Sequence, residues 1–121
     1  MVTKAELYSL VLQELEKLTG NVLASAIVTP DGLIISSTVS REVDNGAFAA
    51  YSAATFNHAR KTMEELSNEN IEMLLFESKN HREIIFRARD DALLIAMTNR
   101  DSQLGMVLIE MQKTAMKIKG L

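Results

Sequence analysis

The chain is 121 residues long and 47% hydrophobic, with a formal net charge of −3 and no cysteine. That length suits one domain around one core; the missing cysteines exclude a disulfide scaffold, and the acidic balance argues against a nucleic-acid-binding face. No segment approaches the roughly 18 consecutive apolar residues of a membrane span.

The first residues, Met1-Val2-Thr3-Lys4-Ala5-Glu6, lead into a charged amphipathic stretch. They lack the uninterrupted apolar run of a secretory signal, and the expected location is the cytoplasm. Seven methionines are many for this length. Methionine fills irregular gaps, in a core or at an adaptable interface.

The first helix opens on Thr3 with Glu6 three residues later, the spacing of a capping box. Leu7, Leu10, Val11, Leu15 and Leu18 follow at helical intervals, and Gly20-Asn21 supplies a left-handed stop. Residues 22–29 and 33–38 read as two β-branched, apolar strands. Pro30-Asp31-Gly32 between them is hairpin chemistry: proline presets φ and glycine accepts a positive one.

A second helix is predicted from Asp44 to about Ser67, with Val43 and Phe48 placed for a hydrophobic staple. Three strands follow at 71–77, 83–88 and 92–98. Their connections, 78–82 and 89–91, are too short for parallel crossovers. They form an antiparallel meander, and residues 92–97, apolar throughout, fit a central strand covered on both faces. The last helix begins near Asp101, carries Leu104, Val107, Leu108, Met111, Ala115 and Ile118 as one stripe, and ends at Gly120. The order αββαβββα implies an α/β fold of the α+β kind: a three-layer α/β/α sandwich on a five-stranded antiparallel sheet. Residues 1–121 are expected to form a single domain.

The second helix carries two apolar faces. Phe48, Phe56, Ala59, Met63 and Leu66 are expected to pack on the sheet. Ala47, Ala50, Tyr51 and Ala54, joined by His58, line the opposite side. A helix apolar nearly all round is normally buried, and a chain this short has nothing left to cover the second face except another chain. The next strand repeats the pattern, with Ile71, Met73 and Leu75 expected on one side and Leu74 and Phe76 on the other. An apolar strand at a sheet edge invites pairing. The dimer face expected from these residues is Ala47, Ala50, Tyr51, Ala54, His58, Ile71, Met73 and Leu75, joined about a two-fold axis.

Catalytic and cofactor signatures are missing. The five glycines stand singly, without a phosphate-binding spacing. His58 and His81 are far apart in sequence, and no metal-ligand cluster surrounds either. Ser36, Ser37 and Ser40 lack a nucleophile motif. Asp90-Asp91 suits a turn better than paired catalytic carboxylates. The six arginines are dispersed, as on a solvated surface. We expect no enzyme activity, catalytic residue, metal or cofactor.

The joint order of these pieces resembles the Roadblock/LC7 family in its stand-alone archaeal and bacterial form. The matching segments are the leading amphipathic helix, the hairpin Ala26 to Ser36 around Asp31-Gly32, the alanine-rich helix Ala47 to Ala59 and the apolar strand Leu93 to Met97. The resemblance implies a non-enzymatic homodimeric module, paired through the second helix and third strand, that regulates or scaffolds a small Ras-like GTPase. It places partner contacts at the polar positions flanking the paired helices, Arg41, Glu42, Asn57 and Arg60. Profilin-like and PAS-like sensory domains also wrap helices around a five-stranded antiparallel sheet. The alternative expectation is therefore a sensory domain holding a small ligand in a sheet-lined pocket.

Overall fold

The computed structural model describes residues 1–38 and 43–121. Helix α1 spans Lys4–Thr19. Thr3 caps it by accepting from the Glu6 backbone N–H at 3.2 Å, and its hydroxyl donates to the Glu6 carboxylate. Only half of the expected reciprocal box is present, because the Glu6 side chain meets the Thr3 hydroxyl rather than the Thr3 backbone. Gly20 closes the helix at φ 67°, and its N–H donates to Glu16 O.

Strands β1 (Val22–Val28) and β2 (Ile34–Ser37) form the predicted hairpin. Helix α2 runs Asn45–Ser67, capped by the Asp44 carboxylate, which accepts from Ala47 N–H at 2.9 Å. Asn68, in the left-handed conformation, ends it. Then come β3 (Met73–Glu77), β4 (His81–Arg89), β5 (Ala92–Asn99) and α3 (Leu104–Lys119). Three element starts move against expectation, the first being β3, which begins at Met73 rather than at residue 71. Strand β4 begins at His81, so the preceding turn is tighter. Helix α3 begins at Leu104, because Asp101 and Ser102 form a turn first.

All pairings are antiparallel and the strand order is β2-β1-β5-β4-β3. The all-apolar strand β5 is central, as its composition requires. Alternation along the strands sends side chains to two cores. On one face Ile27, Ile84, Leu94 and Ala96 meet α1 and α3 through Leu12, Leu15, Val107, Met111 and Ile118. On the other, Ala24, Ala26, Val28, Ile85, Leu93 and Ile95 meet α2 through Phe48, Ala49, Ala53 and Phe56. Val43 joins this second core, consistent with the staple.

Arg89 pins the α1/α3 layer to the β4–β5 hairpin. It donates to Tyr8 Oη at 2.8 Å and to Ile118 O at 3.2 Å, and it pairs with Asp91. The Asp90-Asp91 turn is therefore tied down by arginines, Arg87 holding Asp90 in the same way.

Candidate functional site

Small residues set the position of α2. Ala24 and Ala26 on β1 face Ala49 and Ala53 on the helix, all buried. Small residues on both sides let the helix lie close to the sheet. The hairpin tip closes one flank. A Cβ on Gly32, at φ 88°, would come within 3.1 Å of Ala50 Cα, so this glycine serves both the turn and the close approach. Asn57 Nδ2 donates to Pro30 O at 2.8 Å on the same flank.

The opposite flank is open. Helix α2 lies chiefly over β1, β2 and β5, and β3 forms the far edge of the sheet. By strand alternation Leu74 and Phe76 share the α2 side, and Leu74 packs on that core. Phe76 remains 41% exposed. Met73 and Leu75 point to the α1/α3 side, where Leu75 packs on the other core and Met73 is partly exposed.

Two sequence expectations need correction here. Met63 and Leu66 do not pack on the sheet; they are 38% and 77% exposed. A 23-residue helix is about 34 Å long, against about 23 Å for the seven residues of β1 beneath it. The last turns of α2 therefore overhang, and residues 60–70 are all exposed. Ile71 lies before β3 and packs with the α2-side core, so it does not share a face with Met73 and Leu75. Strand alternation begins only where the ladder does.

The outer face of α2 presents Ala47, Tyr51, Ala54 and His58 to solvent, with Tyr51 75% exposed. Ala50 is exposed too but sits against the hairpin. Arg60 is exposed; Asn57 is half-buried by its bond to Pro30. Arg41 and Glu42, like Ser40, lie outside the described residues.

The polar contact that joins the middle of α2 to β4 was missed by sequence reasoning. The Ser52 hydroxyl donates to Glu83 Oε2 at 2.6 Å. Burial pushes the Glu83 carboxyl above its ordinary range, and the Ser52 hydroxyl draws it partway back. Ser at 52 within the alanine-rich stretch was the available signal, but nothing in the chain order pointed to Glu83, 31 residues later.

No cluster of metal-ligating side chains occurs among the described residues, and none of their helices is long and apolar enough to cross a membrane. A groove of about 740 Å³ lies between the β4–β5 turn and α3. Arg87 and Arg89 in its wall are already paired with Glu72, Asp90 and Asp91, and the groove is open to solvent rather than enclosed by the sheet.

Residues 7–98 match the model of the Roadblock/LC7 domain. The chain belongs to the Roadblock/LC7 family. It is 31% identical over 111 residues to the uncharacterized protein MJ1340 of Methanocaldococcus jannaschii, covering 92% of this chain and 96% of that protein. Among solved structures, this Roadblock/LC7 domain is similar to Myxococcus xanthus MglB, with a TM-score of 0.87, 17% identity and coverage of 99% and 90% of the two chains. A structure of MglB with a tetrameric arrangement gives a TM-score of 0.87 at 14% identity, covering 99% and 91%. The Roadblock/LC7 domain from Streptomyces avermitilis gives 0.86 at 12%, covering 93% and 94%. Acanthamoeba castellanii profilin IA gives 0.64 at 17%, covering 93% and 97%, which places the Roadblock/LC7 and profilin folds side by side as expected.

Proposed function

We propose that this chain is a non-enzymatic binding module that pairs with a second copy of itself through the outer face and open flank of α2 and the β3 edge. The pair then regulates or scaffolds a small Ras-like GTPase. The observation that carries the pairing is the incomplete layer on the α2 side of the sheet. One helix, lying chiefly over β1, β2 and β5, covers that face, while Phe76 stays exposed on the β3 edge and Met63 and Leu66 stay exposed on the helix overhang. An uncovered apolar face and an unpaired edge together favour association. A second copy related by a two-fold axis supplies both missing parts, a helix and a strand. The MglB described in a tetrameric arrangement is a protein of this fold that assembles with itself. The GTPase half rests on what membership of the Roadblock/LC7 family implies. On this reading Ala47, Tyr51, Ala54 and His58 line the contact. Ala50 stands at its margin, and Arg60 lies on the polar border available to a partner.

Sedimentation at micromolar concentration tests the pairing, with two copies expected. Ala54→Glu and His58→Glu each place like charges together at a desolvated symmetric contact, a cost of about 3–5 kcal/mol. Both variants should sediment as one copy with unchanged circular dichroism. A wild-type chain that sediments as one copy refutes the pairing. Gel filtration with small GTPases of the same genome, loaded with GDP or a GTP analogue, tests the partner. Co-elution in one nucleotide state is expected; none in either state removes the GTPase reading.

A further inference from the structure

Glu83 is an unusual occupant of its position. It lies on β4, one strand in from the open edge, with its side chain on the α2 side. Its cross-strand neighbours are Phe76 on β3 and Met97 on β5, and above it Ser52 lies within an apolar stretch of α2. A carboxyl half-buried among such groups is expensive to ionise unless a cation pairs with it. Among the described residues no ion pair involves Glu83.

The charged and titratable groups around it are few. By alternation along β4, His81 and Arg87 share its face. Arg87 is held by Glu72 and Asp90. On β3 the Glu77 carboxylate is engaged by Arg82 and Arg100. Strand β5 offers Met97 and no charge, and α2 offers the Ser52 hydroxyl, with His58 farther along its outer face. Glu83 therefore depends on one hydroxyl and on the water reaching it through the open flank of α2. That flank is where a second copy would sit.

We propose that Glu83 makes self-association of this chain a proton-linked equilibrium, the copies joining most tightly when this carboxyl is neutral. The proposal rests on the pairing described above. Covering the flank strips the remaining water from Glu83 and penalises its ionised form, so the associated state holds the proton more firmly than the free chain. Linkage fixes the sign. The extra association energy is fully present below the free-chain pKa of Glu83 and is lost as pH rises through the higher pKa of the associated state. Each copy contributes up to about tenfold in Kd per pH unit within that window, and two copies up to about a hundredfold.

The test is sedimentation equilibrium of the full chain at constant ionic strength, from mildly acidic to mildly alkaline buffer. Wild type, Glu83→Gln and Ser52→Ala are compared, with circular dichroism at each pH to follow the fold. Wild-type Kd should rise with pH. Glu83→Gln, neutral at every pH, should hold a flat Kd close to the wild-type acidic limit. Ser52→Ala loses a donor that favours the ionised carboxylate, so its transition should move to higher pH; a purely structural serine would weaken association equally at all pH. A flat wild-type profile with association present overturns the role of Glu83 alone. So does a Glu83→Gln profile that still follows wild type, which would assign the titration to another group such as His81. No association of either protein at any pH overturns the pairing itself, and this proposal with it.

Discussion

The two faces of the sheet are built to different degrees of completeness. On one, α1 and α3 lie side by side over the central strands, and Leu12, Met111 and Ile118 are wholly buried between them. On the other, a single long helix lies chiefly over β1, β2 and β5, packs on β1 through alanines, and leaves Phe76 on the β3 edge exposed. A single sheet thus carries a closed layer that holds the fold and an open one that still has surface to bury. A layer closed within the protomer makes stability a property of one chain. A layer left open leaves apolar surface that only a partner can cover, which is the premise of the proposed pairing.

The largest effect that sharpens this contrast belongs to the closed face. Leu12→Ala should cost about 2–5 kcal/mol in urea unfolding, independent of protein concentration; a concentration-dependent loss would mean that the α1/α3 layer is also an interface. An intermediate effect is expected at the β1–β2 hairpin tip, where it meets α2. Gly32→Ala must hold a positive φ and push against Ala50 Cα, a strain of about 1–3 kcal/mol. It should also shift α2, so the amide signals of Ala49, Ala50 and Asn57 should move in NMR spectra while those of α1 stay in place. The smallest effect belongs to the open face. Leu66→Ser on the overhang should leave one-copy stability within about 0.5 kcal/mol of wild type, because the side chain has no sheet beneath it. A larger loss in the dilute protein would show that the overhang packs within its own chain.

Much of this was legible in residue order. Thr3, Gly20, Asp44 and the Pro30-Asp31-Gly32 turn mark boundaries by local chemistry that needs no tertiary contact. The unbroken apolar run of β5 announced a strand covered on both faces. The exposed side of α2 was legible too, since Ala47, Tyr51, Ala54 and His58 recur at helical spacing. Periodicity, however, reports direction around an axis and not what stands opposite. It set Met63 and Leu66 on the sheet-facing side of α2 without knowing that the sheet ends before they are reached. It counted Ile71 into an alternation that starts two residues later. It grouped Ala50 with the free outer face, although the hairpin tip comes to rest against it.

The sequence by itself determined the elements, their order and the surplus apolar face of α2, because caps, turns and side-chain periods act over a few residues. Only the tertiary structure decided where α2 lies on the sheet, which strands stand at its two edges and that Ser52 meets Glu83. Those outcomes depend on the relative lengths of elements and on pairings between residues distant along the chain, which no local pattern encodes.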